Sequence, residues 1–436
     1  MLDYRFILEH LSEVKHNIAH RYMKADADNV VALFNQRTEL AKALQSLQQQ
    51  RNANAAAMKR TRDAAERNSL IEEGKKLKDG IAAVEETLAH VEIDLDTEGR
   101  RIPNMAHPEA PIGKEDKDNL EVKRVGVPRA FDFEPADHVK LGQDLDIIDF
   151  DAGTKVSGTK FYYLKNEGVF LELGLIRYAL DILQKKGFTP YITPDIAKEE
   201  ILEGIGFNPR GAESNVYTLE EEGTCLVGTA EITLGGYYAN MILPKEQLPL
   251  RMAGLSHCFR REAGAAGQFS KGLYRVHQFT KVEMFLYCLP EESDRLHEEL
   301  RLVEEEIFSG LEIPFRVVDT CTGDLGASAY RKWDLEAWMP GRVNPSSRSS
   351  GEWGEVTSTS NCTDYQARRL NIRYKDETGK NRFVHMLNGT ALAVSRGIIA
   401  VLENFQQADG SVRLPKALVP YCGFEVISPR SKAGAK

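Results

Sequence analysis

Apolar positions in the first hundred residues recur with helical spacing. From Val30, steps of 3 and 4 pick out Val30, Leu33, Arg37, Leu40, Leu44, Leu47, Arg51, Asn54 and Met58. A second run takes in Leu70, Gly74, Leu77, Ile81, Val84, Leu88, Val91 and Leu95. Each is a heptad seam long enough to specify a coiled coil, so the pattern predicts an antiparallel helical hairpin over about residues 28–97. Ser69-Leu70-Ile71-Glu72 has the form of a capping box and places the start of the second helix at Ser69. At 1.5 Å per residue, two helices of about 35 residues make a hairpin roughly 50 Å long. The seam is apolar near its base and gives way to Arg, Asn and Ala towards the turn.

Breakers agree with this division. All 17 prolines lie at or after Pro103, and of the 34 glycines only Gly74, Gly80 and Gly99 come earlier. Residues 1–103 therefore read as the helical region and 104–436 as a globular one, joined by a loop-rich linker over about 103–120 (Pro103, Pro108, Pro111, Gly113). In the second region, residues 171–186 form an amphipathic pattern ended by Gly187. Phe188–Asp195 reads as extended, and Cys225–Val227, Arg275–Phe279 and Val282–Cys288 read as strands of a mixed or antiparallel sheet. The expected class is α+β.

Charge changes the picture only when resolved along the chain. The net charge of −9 argues against a protein coated in nucleic acid, but residues 51–78 carry +4 while the chain after Pro103 carries −8. A positive, polar hairpin tip suits a phosphate backbone; a solvated spacer or dimerisation coil is the alternative. Cys225, Cys258, Cys288, Cys321, Cys362 and Cys422 are widely spaced, which indicates neither a disulfide scaffold nor a local zinc site and fits a reducing cytosol. The start, MLDYRF, lacks a signal-peptide pattern, and no 18-residue apolar run appears, so membrane spanning is not expected.

Residues 260–281 concentrate Arg260, Arg261, Lys271, Arg275 and Lys281 against Glu262 alone, around a Gly/Ala-rich loop. Such a hairpin lets backbone approach a ligand while arginines bind phosphate bidentately, and Phe279 can stack on a base. A cationic hairpin with a core aromatic explains the same residues. Thr229-Ala230-Glu231 offers a hydroxyl and a carboxylate on one face of a strand. Glu355-Val356-Thr357-Ser358 sets hydroxyls beside an acid able to hold Mg²⁺. Asn388-Gly-Thr390 opens a helix that places Arg396 in an apolar run, where its charge needs an anionic partner, ligand or structural. No G-x-G-x-x-G or P-loop follows a strand.

At this point the chain resembles the seryl-tRNA synthetase family, in the bacterial-type class II aminoacyl-tRNA synthetases. The matching segments run in order through MLDYRF, the arm, IPNMAHPEAPIGKEDKDN, KVSGTKFYYLK, TAE, FRREAG with GLYRVHQFTKVE, SNCTDYQARRLNIRY and LNGTALAVSR with AVLENFQQADG. The resemblance implies a tRNA-binding coiled-coil hairpin followed by a class II domain with a mainly antiparallel sheet flanked by helices. It implies a ligase that joins L-serine to ATP as seryl-adenylate and then to the 3′ end of tRNA(Ser), with tRNA(Sec) left open as a second acceptor. ATP and Mg²⁺ are the implied cofactors, a homodimer the implied assembly (with Pro194 in the segment like the dimer motif), and the cytoplasm the implied location.

Residue by residue, the resemblance implies that Arg260, Arg261, Glu262, Arg275, Val276, Phe279, Glu355, Val356, Thr357, Ser358 and Arg396 meet ATP. Among these, Arg260 clamps the α-phosphate and the serine carboxylate, Phe279 stacks on adenine, Arg396 meets the γ-phosphate, and Glu355 with Ser358 meets Mg²⁺. Thr229, Ala230, Glu231, Arg260, Glu283, Asn388 and Thr390 form the serine pocket, with Arg260, Glu283 and Arg396 catalytic. Glu231 or Glu283 can bind the ammonium, and one of the two can accept from the serine hydroxyl. Lys59, Arg60, Arg62 and Arg67 are the expected tRNA contacts. Gly228, Thr357, Thr359 and Gly397 depart from the family's usual residues, and NPSSRSSGEW (residues 344–353) reads as an insertion. An inactive paralogue acting as an RNA- or protein-binding regulator is the competing reading.

Overall fold

The computed structural model describes residues 1–208, 214–220, 222–263, 272–343 and 350–430. Lys271, the rest of the Gly/Ala-rich stretch from residue 264, and residues 344–349 of NPSSRSSGEW lie outside the described residues. Two compact units, Met1–Met105 and Ala106–Lys436, divide the chain.

In the first unit, two short helices, α1 (Tyr4–Glu9) and α2 (Leu11–His20), precede the long pair α3 (Ala27–Arg60) and α4 (Ala64–Arg101). Val30, Leu77, Ile81, Val91 and Leu95 are buried along the expected seam. Farther along, the buried Asn54 donates through Nδ2 to Glu73 at 2.9 Å. A Cβ at Gly74 would lie 3.3 Å from Asn54 Oδ1, so glycine leaves room for that polar contact. A polar pair at a seam position fixes register at some cost in stability. The expected start at Ser69 is corrected: α4 begins at Ala64, capped by Asp63, whose carboxylate accepts from the Glu66 amide at 2.8 Å. Ser69 is an exposed residue inside the helix. Lys59, Arg60, Arg62 and Arg67 are all exposed around the turn.

The second unit is built on an eight-stranded sheet. Its strands in chain order are β1 (Leu120–Val125), β2 (Thr189–Ile192), β3 (Leu250–Phe259), β4 (Gln278–Cys288), β5 (Phe315–Asp319), β6 (Arg331–Val343), β7 (Ser350–Asn361) and β8 (His385–Ala393). They lie in the order β1-β5-β6-β7-β8-β4-β3-β2, antiparallel except where β2 meets β3. Side chains alternate along a strand, and β4 shows what that does here. Val282, Met284, Leu286 and Cys288 enter a large core with the helices α5 (Glu167–Lys185), α7 (Ser293–Gly310) and α9 (Val394–Phe405). On the other face, Phe285 and Tyr287 enter a smaller core under α6 (Ala230–Gly236). Phe279, Lys281 and Glu283 share that second face, one step before the apolar residues begin.

Three local expectations are corrected. Thr229-Ala230-Glu231 is no strand: Thr229 caps α6, its hydroxyl accepting from the Glu231 amide at 3.1 Å. Asn388 and Thr390 sit on β8, Asn388 paired with both β7 and β4 and Thr390 with β4, and the helix starts only at Val394. Residues 275–277 precede β4 rather than forming a strand of their own. Among the described residues no helix is long and apolar enough to cross a membrane.

Candidate active site

One cavity on the sheet's second face gathers most of the expected ATP residues: Arg260, Glu262, Arg275, Val276, Phe279, Glu355, Val356, Thr357 and Arg396, together with Tyr274. Arg260 directly follows β3, where its amide donates to the His277 carbonyl at 3.0 Å and its Nε to the Gly228 carbonyl at 3.3 Å. Its guanidinium carbon lies 5.3 Å from the Phe279 ring centroid. Two residues on, Glu262 has φ +48°, a left-handed conformation uncommon for a residue with a Cβ. Its carboxylate accepts from Arg275 at 3.3 Å, across the hairpin.

Arg396 occupies the first turn of α9 and does have its anionic partner. Its Nη1 donates to Glu355 Oε1 at 3.0 Å and to the Glu355 carbonyl at 2.9 Å. Tyr274 donates to that same carbonyl at 3.1 Å, and the guanidinium carbons of Arg396 and Arg342 lie 4.5 and 4.6 Å from the Tyr274 ring centroid. Partial loss of hydration works against charge on Glu355, whose side chain is 46% exposed, but Arg396 and Lys332 outweigh it and hold its carboxyl below the usual range.

Glu355 and Ser358 are three residues apart, which in a regular strand puts them on opposite faces. A bulge reverses this. Glu355 pairs with Glu336 and Thr357 with Leu335, leaving Val356 as the extra residue, so Glu355 and Ser358 (paired with Asp334) share a face. Asp334 is buried, and that burial, only partly offset by Lys332, pushes its carboxyl up to about 6. No group of three acidic, histidine or cysteine side chains forms a protein-only metal cage among the described residues. The ionised carboxylate of Glu355, on one strand face with the Ser358 hydroxyl, fits Mg²⁺ delivered with phosphates, since that ion keeps most of its coordination for water and phosphate oxygen.

Beside the cavity lies a second polar group. Glu231, half-buried at the start of α6, accepts from Gln366 Nε2 at 2.8 Å and Asn388 Nδ2 at 3.0 Å. Burial, with Glu283 adding to it, pushes its carboxyl up to about 7. Glu283 is ion-paired with Lys281, both buried, and Thr390 bridges them, its hydroxyl 3.4 Å from each. The two glutamates therefore differ: neutral amides hold one, a cation holds the other.

Arg261 is exposed, with its amide bonded to the Asn215 carbonyl at 2.9 Å, and it does not line the cavity. Ala230 is fully buried against Gly254 and has only backbone to offer a ligand. Ser358 stands next to the cavity rather than in its lining. Tyr274, Lys281 and Gln366 carry much of this geometry and were not among the expected site residues. Lys281 had a visible signal, an even spacing from Phe279 and Glu283 along one strand. Gln366 had none, since it arrives from a separate helix, α8 (Tyr365–Leu370).

Comparisons with known proteins identify the family. Residues 1–106 match the family described as "Seryl-tRNA synthetase N-terminal domain", and residues 217–405 the "tRNA synthetase class II core domain (G, H, P, S and T)". A serine–tRNA ligase of Treponema denticola is 70% identical over 98% of this chain and 100% of its own length. Another from Borreliella burgdorferi is 54% identical over 98% of this chain and 99% of its own. The crystal structure of seryl-tRNA synthetase from Pyrococcus horikoshii complexed with ATP superposes with a TM-score of 0.90 at 40% identity, covering 99% of this chain and 100% of that one. With its arm, its antiparallel core and relatives this similar over their whole length, the chain belongs to the seryl-tRNA synthetase family of class II aminoacyl-tRNA synthetases.

Proposed function

We propose that this chain is a serine–tRNA ligase that forms seryl-adenylate in the cavity between Arg260 and Arg396 and passes serine to the 3′ end of tRNA(Ser). The observation that carries the reading is the convergence of Arg260, Glu262, Arg275 and Phe279 with Glu355 and Arg396 on one cavity. An aromatic face for a base, three arginines for phosphates and an adjoining pocket with two unlike glutamates are what an amino acid and ATP together require. The competing reading, an inactive paralogue, leaves these charged groups without a role.

Adenylate formation joins a serine carboxylate oxygen to the α-phosphorus and releases pyrophosphate from the opposite side. Arg260, placed between the two pockets, orients both reacting groups. Arg396 and Arg275 offset charge on the departing phosphates, and no protein nucleophile is needed. Glu355 and Ser358 would hold Mg²⁺, which when bound supplies further positive charge to the phosphates. In the amino-acid pocket, Glu231 is held by the neutral amides of Gln366 and Asn388 and, once ionised above about pH 7, offers its charge to the ammonium. Glu283 is already neutralised by Lys281 and serves as an acceptor for the serine hydroxyl, with Thr390 and Asn388 closing the pocket. Buried partners of this kind reject alanine strongly for lack of the hydroxyl, whereas threonine must be excluded by bulk. The test is pyrophosphate exchange: serine should support it and alanine should not, and exchange without serine dependence would overturn the assignment.

A pH profile separates the two glutamates. Because burial holds Glu231 protonated below about 7, the pocket loses its charge for the ammonium as pH falls. We expect kcat/KM for serine to drop about tenfold per unit below pH 7, a slope that Glu231→Gln removes. A flat wild-type profile between about pH 6 and 8 would reassign the ammonium to Glu283.

The homodimer is supported by exposed apolar residues. Ile192 on the edge strand β2 is 86% exposed, and Val169, Phe170 and Leu173 are exposed on α5. Apolar side chains at an open sheet edge suit association of two copies. The cytoplasm suits six buried cysteines that form no disulfide.

A further inference from the structure

Outside the residues that line the cavity, a buried relay links α9 to the segment carrying Tyr274 and Arg275. Glu403 lies two turns beyond Arg396 on α9 and is 2% exposed, so its carboxylate must find its donors within the protein. Oε2 accepts from the Gly341 amide at 3.0 Å, next to Arg342, whose guanidinium faces Tyr274. Oε1 accepts from the His138 amide at 3.0 Å and lies 2.8 Å from His138 Nδ1.

The other ring nitrogen of His138 completes the relay. The Leu273 amide donates to His138 Nε2 at 3.1 Å. That bond requires a lone pair on Nε2, so the ring proton sits on Nδ1 and is donated to Glu403. Gly272 has φ +116°, and a Cβ there would stand 2.4 Å from Nε2, so the backbone can come this close only as glycine. Leu273 itself is fully buried in the large core. The next residues are Tyr274, bonded to the Glu355 carbonyl, and Arg275, bonded to Glu262.

We propose that His138 is a positioning residue for ATP: held by Glu403, it fixes the Leu273 amide and so aims Tyr274, Arg275 and Val276 into the cavity. It touches no reacting atom and acts through the backbone. The inference rests on the cavity being the ATP site, and the experiment distinguishes the two. Asparagine places its amide near Nδ1 and keeps the bond to Glu403 but has nothing to accept from Leu273. Glutamine reaches to the place of Nε2 and keeps that acceptor.

In pyrophosphate exchange with the full-length chain, His138→Asn should raise the KM for ATP roughly tenfold and leave the KM for serine within about twofold, while His138→Gln should restore most of the ATP affinity. A purely structural role would shift both constants together and would not be rescued by glutamine. An ATP KM for His138→Asn equal to that of the wild type overturns the proposal; a wild type without serine-dependent exchange overturns the assignment of the cavity instead. Should His138→Asn not fold, hydrogen exchange of the wild type decides: the Leu273 amide should be protected, and free exchange there overturns the proposal.

Discussion

Arg260→Ala and Arg396→Ala should each lower serine-dependent pyrophosphate exchange by roughly 10³-fold, the scale of losing a preorganised cation at a phosphoryl-transfer centre. The two losses should differ in character. Arg260 stands between the nucleotide cavity and the serine pocket, so its removal should harm kcat more than either KM, because both reactants lose their common orienting group. Arg396 also balances Glu355, with Nη1 3.0 Å from the carboxylate. Its removal leaves that acid without its nearest cation in the cavity where phosphates must enter, so the KM for ATP should rise as well. Arg396→Lys tests the geometry: a lysine keeps the charge but not the fork that meets two oxygens at once, and should recover only part of the loss. Melting temperature controls for folding. A folded Arg396→Ala enzyme retaining a tenth or more of wild-type exchange would show that the cavity between Arg260 and Arg396 is not where ATP reacts.

Elements are legible in the sequence where one local rule dominates and hidden where partners come from afar. The heptad seams gave α3 and α4 because helical periodicity is carried by the segment itself. The start of α4 was missed because Asp63 offered a cap six residues earlier than Ser69, and the intervening Ala64, Ala65, Glu66 and Arg67 are all compatible with helix. Asn388–Ala393 reads as the opening of a helix, but pairing with β4 along the segment, and with β7 at Asn388 and Gly389, makes it strand. The site itself was legible largely through resemblance. From the residues alone, the arginine-rich hairpin read equally well as structure. What no pattern could supply was the bulge at Val356 that brings Glu355 and Ser358 to one face, and the amides of Gln366 and Asn388 that set Glu231 apart from Glu283. Both depend on which strand or helix lies alongside, and a single strand's sequence does not encode its neighbours.

Reversing the charge of the arm's tip, with Lys59, Arg60, Arg62 and Arg67 all changed to Glu, should leave pyrophosphate exchange within about twofold of wild type while lowering tRNA serylation at least a hundredfold near physiological salt. The four side chains are exposed, and the seam that holds the hairpin, from Leu77 to Leu95, contains none of them. Lys59 and Arg60 do complement the C-terminal dipole of α3, so reversing them costs roughly 0.3–1 kcal/mol each in local helix stability. Changing the same residues to Gln separates that effect, because it removes the phosphate contacts without adding repulsion at the helix end. If all four meet phosphates, the Gln variant should also flatten the salt dependence of tRNA binding by up to about four units of log–log slope. Serylation that survives reversal, with an unchanged salt slope, would make the hairpin a spacer and move the RNA contact elsewhere.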